Sequence, residues 1–394
     1  MEVKNKRDVP KIRFNIYRKR WKKKKFKDFT KLSQGLQIAI SDRFTEDAET
    51  RHFYITNEFL NPNSRKKYYI ESPSENVICT VDDILMTRTG NTGKVITNVS
   101  GAFHNNFFKV TYEKNDTAKL FLYYLLLSYD VQKEILIRAG NSTIPDLNHG
   151  DFYSIKTFIP TIEEQSAIGS LFRTLDDLLS SYKDNLANYQ SIKTTMLSKM
   201  FPKAGQTVPE IRLDGFDGEW ENKILSEVTN ITMGQSPKSE NYTDNPNDYI
   251  LVQGNADIKD KQVVPRLWTT EVTKMAEIGD IILTVRAPVG DIGKTDYNVV
   301  IGRGVAVIKG NDFIFYTLEK MKMTGFWNKF STGSTFESIS SNDIKEAIIQ
   351  IPTLEEQQAI GAYFSNLDNL INSYQEKISQ LETLKKKLLQ DMFI

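Results

Sequence analysis

The stretch IPTIEEQSAIG at residues 159–169 returns almost unchanged as IPTLEEQQAIG at residues 351–361. The offset of 192 residues continues without a gap to residue 201 in the first copy and residue 393 in the second, and 19 of the 43 aligned positions are identical. A match of this length at a fixed offset indicates an internal duplication. The chain therefore carries two copies of one constant segment.

The segments that precede the two constant copies begin alike and then diverge. Val-Pro-x-Ile-Arg at residues 9–13 recurs at residues 208–212, and Asp-Ile-x-x-Thr at residues 83–87 resembles residues 280–284. The other matched positions are Trp21 with Trp220, Gly35 with Gly234, and Gly93-Lys94 with Gly293-Lys294. The order is therefore variable, constant, variable, constant. We expect two variable domains at residues 1–158 and 202–350, each followed by a constant helix, at residues 159–201 and 351–394; the resemblance given below identifies them as target-recognition domains and spacer helices.

Each constant segment is predicted to be one long helix. Thr161-x-x-Glu164 and Thr353-x-x-Glu356 are capping boxes that follow a proline, a typical helix start. Apolar residues then recur at alternating steps of three and four, the spacing of a coiled coil, and a lysine (Lys193 or Lys385) interrupts the stripe in each copy. The predicted coiled-coil positions are Phe172, Leu175, Leu179, Tyr182 and Leu186 in the first copy, and Phe364, Leu367, Ile371, Tyr374 and Ile378 in the second.

About 40 residues at ~1.5 Å each make each helix a rod of roughly 60 Å. A rod with one apolar stripe is not stable alone in water, so we expect the two copies to pair with each other. The alternative is that each helix packs on its own variable domain.

The variable segments are predicted to be mixed in secondary structure. A helix fits residues 117–139, capped by Asp116 or Thr117 and ended by Gly140. Short runs rich in β-branched and aromatic residues indicate strands at residues 77–81, 84–87, 107–111, 281–285 and 305–308.

Composition sets limits on the class of protein. Hydrophobic residues make up 40% and charged residues 26% of the 394 positions, which is ordinary for a globular protein. The longest purely apolar run, Leu120–Leu127, is far shorter than the roughly 20 residues that cross a bilayer. The N-terminal residues do not form a signal-peptide pattern, so we expect a cytoplasmic protein without a membrane partner. The single cysteine, Cys79, excludes an internal disulfide and is expected to be a buried, inert thiol.

The net charge of +1 conceals an asymmetry. Residues 1–201 contain 31 Lys and Arg against 23 Asp and Glu, whereas residues 202–394 contain 20 against 27. The first half is therefore basic (+8) and the second acidic (−7), which suggests that the halves differ in their contacts with a charged partner.

Catalytic motifs are missing from the sequence. Gly290–Thr295 approaches a phosphate-binding loop, but Pro288 stands where that motif needs glycine. There is no H-E-x-x-H, no EF-hand loop, no dinucleotide fingerprint and no Asn-Pro-Pro-aromatic tetrapeptide. We therefore expect no catalytic residue, no metal site and no cofactor.

Several features are consistent with nucleic acid binding. Residues 18–27 (RKRWKKKKFK) hold eight basic residues in ten, which suits contact with phosphates. The alternative is a solvated, flexible arm. Polar clusters around His104 and Gln253 carry amides of the type that pair with adenine. The predicted DNA contacts are Arg18, Lys19, Arg20, Lys22, Lys24, Arg65, Lys66, Lys67, Arg88, Asn91, Lys94, His104, Asn105, Asn106, Ser142 and Thr143 in the first half, and Gln235, Ser236, Lys238, Gln253, Asn255, Arg286, Lys294, Arg303, Ser334 and Thr335 in the second.

The repeated Ile-Pro-Thr-x-Glu-Glu-Gln element, Val-Pro-x-Ile-Arg followed by tryptophan, and Met-Gly-Gln-Ser-Pro at residues 233–237 give the chain a clear resemblance. It resembles the specificity subunit of bacterial type I restriction–modification systems over essentially its whole length. The resemblance implies an α+β fold, with two mixed α/β target-recognition domains in tandem joined by two long helices that form an antiparallel coiled-coil spacer.

The same resemblance implies the function and the partners. Each recognition domain would bind one half of a bipartite, asymmetric site in double-stranded DNA, and the spacer would fix the gap. Two modification subunits would methylate adenine, and two restriction subunits would translocate and cut DNA. Two other classes stay open at this stage: a coiled-coil scaffold whose heads bind proteins, and a small nuclease with an unrecognised site.

Overall fold

The computed structural model describes residues 8–140, 143–330 and 338–394, which divide into two compact units. Unit 1 comprises the described residues up to Lys183 together with Glu376–Ile394, and unit 2 comprises Asp184–Gln375. Each unit therefore combines one variable segment with a part of each long helix.

Unit 1 begins with the strands and helices of the first variable segment. Its strands are β1 (Lys22–Lys25), β2 (Thr30–Gln34), β3 (Arg51–Ile55), β4 (Tyr69–Glu71), β5 (Ile78–Cys79), β6 (Ile84–Thr87), β7 (Val95–Thr97), β8 (Gly101–Phe103), β9 (Phe107–Tyr112) and β10 (Lys156–Ile159). Its helices are α1 (Lys119–Leu127), α2 (Tyr129–Ala139) and α3 (His149–Ser154), and the long helix α4 (Ile162–Lys199) follows.

Unit 2 repeats this order with additional short strands. Its strands are β11 (Glu221–Ile224), β12 (Ile231–Met233), β13 (Tyr242–Thr243), β14 (Tyr249–Val252), β15 (Ile258–Lys259), β16 (Gln262–Val263), β17 (Trp268–Thr269), β18 (Met275–Ala276), β19 (Ile281–Thr284), β20 (Ile292–Lys294), β21 (Val299–Ile301), β22 (Val305–Ile308) and β23 (Ile348–Ile351). Its helices are α5 (Leu225–Val228), α6 (Asp312–Met323) and α7 (Ser341–Lys345), and the second long helix is α8 (Leu354–Asp391).

The two variable segments share one strand arrangement despite their unlike sequences. One sheet has the order β2-β9-β6-β7 in unit 1, and its counterpart in unit 2 begins β12-β22-β19-β20 and continues to β16 and β15. A second sheet contains one parallel pair in each unit, β3 with β8 and β14 with β21. The duplication therefore extends through the regions where the sequence match is thin.

The helix predicted at residues 117–139 is divided into α1 and α2. Ser128 adopts an extended backbone conformation (φ −64°, ψ 151°), and both its N–H and its hydroxyl donate to the Leu125 carbonyl. At the start of α1 neither predicted capping side chain is used. Instead, Gln165 of the constant segment accepts a hydrogen bond from the Ala118 N–H at 2.9 Å. The glutamine of the repeated motif therefore ties α4 to the recognition fold.

The glutamates of the predicted capping boxes have a different partner from the one expected. The Glu164 carboxylate binds the Arg13 guanidinium through two hydrogen bonds of 2.6 and 2.7 Å. Glu356 binds Arg212 in the same way, at 2.9 and 2.7 Å, while Thr353 caps the helix backbone. Both carboxylates are buried. The two repeated motifs, Val-Pro-x-Ile-Arg and Thr-x-x-Glu, are thus the two halves of one bidentate ion pair in each unit.

Within each unit the two long helices run antiparallel. In unit 1 Asp176 contacts Lys385, and about two helical turns further along α4, Lys183 contacts Glu382. In unit 2 the rings of Tyr189 and Tyr374 lie 5.4 Å apart, and further along α4 Lys193 contacts Asp368. The partner numbers decrease as the α4 numbers increase, which is the signature of antiparallel pairing.

The stripe of apolar residues is buried to different degrees along the helices. Phe172 stacks on Tyr124 of α1 at 4.8 Å and lies 5.7 Å from Phe393, so it contacts both its recognition fold and the second constant segment. At this end of the helix, the stripe therefore packs both on its own variable domain and on the second constant segment, so the two alternatives predicted from the sequence occur together. Phe172, Leu175, Leu179, Phe364 and Ile371 are buried, and Tyr182, Leu186, Leu367, Tyr374 and Ile378 are partly exposed.

The two lysines that interrupt the stripe lie in polar clusters, a buried one around Lys193 and a partly exposed one around Lys385. In unit 2 the Lys193 ammonium is 2.5 Å from Asp368 and 3.1 Å from Glu319, and the Tyr316 hydroxyl donates to Asp368 at 3.0 Å. Lys261, from the turn between β15 and β16, also reaches Glu319, at 2.5 Å. Burial lowers the pKa of Lys193 in spite of the two carboxylates, and burial together with Asp368 raises the pKa of Tyr316.

Unit 1 contains the equivalent cluster at the same offset of 192 residues. Lys385 pairs with Asp176, and the Tyr124 hydroxyl donates to Asp176 at 2.8 Å. Burial raises the pKa of Tyr124, and the hydrogen bond to Asp176 adds to the effect. The lysine of one constant segment is therefore paired with an aspartate of the other in both units.

Two classes of feature do not occur among the described residues. None of the helices there is long and apolar enough to cross a membrane. Over residues 8–140, 143–330 and 338–394, His, Cys, Asp and Glu side chains do not group as the ligands of a metal ion.

Candidate nucleic-acid interface

Three chain segments cross at one edge of the sheets in each unit, and we call this crossing the corner. In unit 1 the corner consists of residues 35–37, 55–57 and 104–106, and in unit 2 of residues 234–236, 252–254 and 302–304. The same three backbone hydrogen bonds hold both. They run from Gly35 to Phe107, Leu36 to Phe103 and His104 to Ile55 in unit 1, and from Gly234 to Val305, Gln235 to Ile301 and Gly302 to Val252 in unit 2.

The crossing explains the glycine that recurs at the start of each variable segment. A Cβ added to Gly35 would overlap the Phe103 carbonyl oxygen, and one added to Gly234 would overlap the Gly302 carbonyl oxygen. Only glycine allows the segments to approach this closely. The repeated residue is therefore required by the corner itself.

The corner of unit 1 brings together the polar cluster predicted around His104. The imidazole Nδ1 accepts the Asn106 N–H at 3.1 Å, and burial together with Arg43 lowers the pKa of His104. The ring is therefore neutral near pH 7, with its proton on Nε2. Asn105 donates from its amide nitrogen to the Gln37 carbonyl oxygen at 3.0 Å. Gln37 is exposed, and it is absent from the predicted contacts because an isolated glutamine carries no pattern.

The corner of unit 2 displays different side chains on the same backbone. The Ser236 hydroxyl accepts the Arg303 N–H at 3.1 Å, and the Arg303 side chain is exposed. Gln235 is also exposed, and its backbone carbonyl accepts a hydrogen bond from the Thr273 hydroxyl at 2.5 Å. Gln253 is half-buried, with its N–H bound to Asp257 at 2.7 Å. The predicted contacts Gln235, Ser236, Gln253 and Arg303 thus lie together.

A turn lies next to each corner and is tied by a buried threonine. The Thr87 hydroxyl donates to the Asn91 carbonyl at 2.6 Å, and the Thr284 hydroxyl donates to the Pro288 carbonyl at 2.7 Å. The Gly93 N–H donates to the Thr87 backbone carbonyl, and the Gly290 N–H donates to the Thr284 backbone carbonyl, each at 2.9 Å. Gly93 therefore corresponds in the structure to Gly290. The sequence match of Gly93 with Gly293 is wrong, because the two residues occupy different positions in the two folds.

Two predicted DNA contacts near the turns already have partners within the chain. Arg88 pairs with Asp146 at 2.6 Å and stabilises the loop before α3. Lys294 lies in β20, where its ammonium pairs with Asp312 and lies 5.2 Å from the Phe315 ring. The sequence shows the charge of these residues but not the carboxylates that approach them through the fold.

The central part of the basic run of unit 1 is an ordered strand and not a flexible arm. Residues 22–25 form β1, which pairs antiparallel with β10, and Trp21 and Phe26 at its two ends are buried. Lys25 lies directly opposite Lys156, an arrangement of like charges that is unfavourable without an anion nearby. Arg18, Lys19, Arg20 and Lys22 are exposed, and Lys24 is half-buried.

The remaining predicted contacts are dispersed. They are polar residues on turns and loops outside the corner segments, and only some of them are described. Arg65, Lys66, Lys67, Asn91, Lys94, Thr143, Lys238, Asn255 and Arg286 are exposed, whereas Ser142, Ser334 and Thr335 lie outside the described residues.

Two equivalent folds that present unlike polar groups from one backbone scaffold define a tandem recognition protein. The family model of the type I restriction modification DNA specificity domain matches residues 18–188 and again residues 217–383, so the chain belongs to this family. It is thus a non-catalytic DNA-recognition component that acts together with other subunits of its system.

Relatives agree with the family match along most of the chain. The MjaX protein of Methanocaldococcus jannaschii, a proposed type I restriction enzyme specificity subunit, is 29% identical over 290 residues, which cover 70% of this chain and 67% of that one. The MjaVIII specificity subunit from the same archaeon is 22% identical over 392 residues, 94% of this chain and 91% of that one. The solved S subunit of a type I system from M. genitalium shares the fold, with a TM-score of 0.65 at 17% identity over 98% and 99% of the two chains.

Proposed function

We propose that this chain is the specificity subunit of a type I restriction–modification complex in which each unit recognises one half of a bipartite, asymmetric DNA site. The observation that carries the proposal is the duplicated corner, with the same backbone hydrogen bonds but different exposed side chains in the two units. Two unlike recognition surfaces need two unlike half-sites. Family membership favours DNA over a protein ligand for these surfaces.

Bases are recognised at the corners and turns, and phosphates at the basic strand. In unit 1 the corner follows the last residue of β2, whereas β1 precedes its first residue, with residues 26–29 between the two strands. The five residues of β2 span about 13 to 17 Å, comparable with the roughly 12 Å width of the major groove. One duplex can therefore meet both features. Lysines and arginines of residues 18–27 release counterions when they contact phosphate, which strengthens binding at low salt.

The chemistry belongs to the partners. Two modification subunits that methylate adenine dock on the long helices, and two restriction subunits join them to cleave DNA, within a bacterial cytoplasm. The chain directs these enzymes because it selects the sequence on which they assemble. The catalytic patterns that methyltransferases and nucleases need are missing from its sequence.

The experiment compares methylation by the chain with and without its partner. The purified chain, its modification subunit, and the mixture of both are each incubated with DNA and S-adenosylmethionine, and methylated adenines are mapped by sequencing. The mixture is expected to methylate one sequence made of two separated halves. The chain alone is expected to transfer no methyl groups. Methyl transfer by the isolated chain, or a mixture that methylates a single continuous sequence, would contradict the proposal.

A further inference from the structure

The two corners are the same scaffold, so their side chains can be compared position by position. The shared hydrogen bonds align Leu36 with Gln235, and His104 with Gly302. The next residues along each chain are then equivalent, which matches Gln37 with Ser236 and Asn105 with Arg303. In each unit a hydrogen bond joins these two positions: the Asn105 side-chain amide donates to the Gln37 side-chain oxygen in unit 1, and the Arg303 backbone N–H donates to the Ser236 hydroxyl in unit 2. The corner is therefore one backbone arrangement that carries different side chains in the two units.

From this alignment we infer that the corner of unit 1 selects an adenine through Gln37, and that the corner of unit 2 selects a guanine through Arg303. The inference rests on the proposed function, since it names the bases recognised by surfaces that are proposed to bind DNA. It assigns base selection to the first residue of the matched pair in unit 1, Gln37, and to the second residue of the pair in unit 2, Arg303.

Gln37 has the free groups that an adenine requires. Adenine presents an acceptor, N7, and a donor, N6–H, in the major groove, and a side-chain amide pairs with both. Gln37 is exposed, and its only hydrogen bond in the described structure is the one that its carbonyl oxygen accepts from Asn105. A carbonyl oxygen has two lone pairs, so one remains for N6–H, and the amide nitrogen remains for N7.

Asn105 is the positioning residue of this pair and not the one that meets the base. Its side-chain oxygen is buried and has no hydrogen-bond partner within the described residues, so it is inaccessible to a base. Its amide nitrogen holds the Gln37 oxygen at 3.0 Å. A fixed amide loses less conformational entropy on binding than a free one.

Arg303 presents the complementary chemistry. Guanine offers two acceptors, O6 and N7, and a guanidinium donates to both in a planar, bidentate contact. The Arg303 side chain is exposed and pairs with none of the described carboxylates, whereas Arg212 and Arg266 of the same unit are engaged with Glu356 and Asp257. Its backbone N–H is held by Ser236, which fixes the point from which the side chain projects.

The test uses the full-length chain together with its modification subunit and maps the methylated sequence for each variant. Gln37→Ala is expected to relax the requirement for adenine at one position of one half-site, and Arg303→Ala the requirement for guanine at one position of the other half-site. Each substitution should lower the discrimination against other bases at that position about 10- to 100-fold. Arg303→Lys keeps the charge but loses the bidentate geometry, so it should relax the same guanine while overall affinity is retained. Lys345→Ala, an exposed cation of α7, is the matched control and should leave the sequence unchanged.

Asn105→Ala tests the positioning role. It should relax the same adenine as Gln37→Ala, and the double variant should be no more relaxed than Gln37→Ala alone. Changes at two different positions would contradict the pairing of Asn105 with Gln37.

The outcomes separate this inference from the function on which it rests. An unchanged sequence for both Gln37→Ala and Arg303→Ala would overturn the inference and leave the specificity function standing. A uniform loss of methylation in Arg303→Ala, with the guanine still required, would assign Arg303 to phosphate and overturn its role in base selection. A wild-type complex that methylates without sequence preference would overturn the proposed function, and this inference with it.

Discussion

At the residue scale, the buried Lys193 shows how a polar group can be part of a helix interface. Removing one member of a buried ion pair leaves an uncompensated charge, which costs more than the pair itself contributes. The Lys193 side chain is 6% exposed and contacts two carboxylates, whereas the Lys385 side chain is 24% exposed, so Lys193 is the more deeply buried of the two. A buried pair at one position also disfavours alternative registers of a coiled coil.

We predict that Lys193→Met destabilises unit 2 by about 3 kcal/mol, because Asp368 and Glu319 lose their more buried cation and keep only Lys261, 3.5 Å from Asp368 and 2.5 Å from Glu319. Lys183→Met is the matched control. Lys183 and Glu382 form a pair whose side chains are 54% and 53% exposed, and such surface pairs contribute about 0 to 1 kcal/mol. Urea unfolding of the two variants measures the difference. Equal midpoints for the two variants would contradict the account of the cluster.

At the element scale, the long helices connect the recognition units to the spacing of the DNA site. The polar clusters lie toward the recognition folds, at Asp176 with Lys385 in unit 1 and at Lys193 with Asp368 in unit 2. The stretches after Leu186 and after Ile378 lie outside both clusters. Helix length can therefore be changed there without breaking either set of contacts.

Insertion of four residues after both Leu186 and Ile378 is expected to lengthen the unread gap of the target by about two base pairs. Four helical residues add roughly 6 Å to each helix, and the axial rise of DNA is about 3.4 Å per base pair. The half-site sequences should stay the same, because both corners are untouched. Methylated-site mapping of the complex gives the gap. A complex that still selects the original gap would show that the helices do not set the spacing.

An insertion into one helix alone is the control for this experiment. It places the lysine of one segment out of register with the aspartate of the other in one of the two units. We expect this variant to lose stability and DNA selection together, in contrast to the paired insertion.

The sequence predicts the regular elements well where one physical signal dominates. The heptad spacing identifies α4 and α8, and buried strands such as Ile84–Thr87 follow from continuous apolar runs. The division of residues 117–139 at Ser128 is not predictable in this way, since the apolar pattern continues through the break. The order of strands within the sheets is equally hidden, because it depends on contacts between distant segments.

The candidate interface is predicted only in part, for a related reason. His104, Asn105, Gln253 and Arg303 are recognisable as polar residues in turns, but the corner exists only when three segments of the sheet cross. Gln37 has meaning only beside Asn105, 68 residues away in sequence. Residue type indicates the chemistry of such a site, and the fold determines which residues come together in it.

At the scale of the whole molecule, the chain is a duplication whose halves keep their scaffold and change their surface. The repeated ion pairs Arg13 with Glu164 and Arg212 with Glu356, and the two polar clusters, are the retained part. The exposed corner residues and the basic strand, whose counterpart in unit 2 is Glu221–Ile224, are the changed part. Such a molecule can acquire a new half-site in one unit without disturbing the other.

The most direct test of this account is to replace residues 1–158 with the first recognition domain of another family member and to map the methylated adenines made by the resulting complex. Arg13, Gly35 and the contact surface of α1 are kept in the replacement, because the scaffold depends on them. The account predicts that one half of the target sequence changes, while the other half and the gap stay as they are. A change in both halves, or in neither, would contradict the claim that each unit recognises its own half-site.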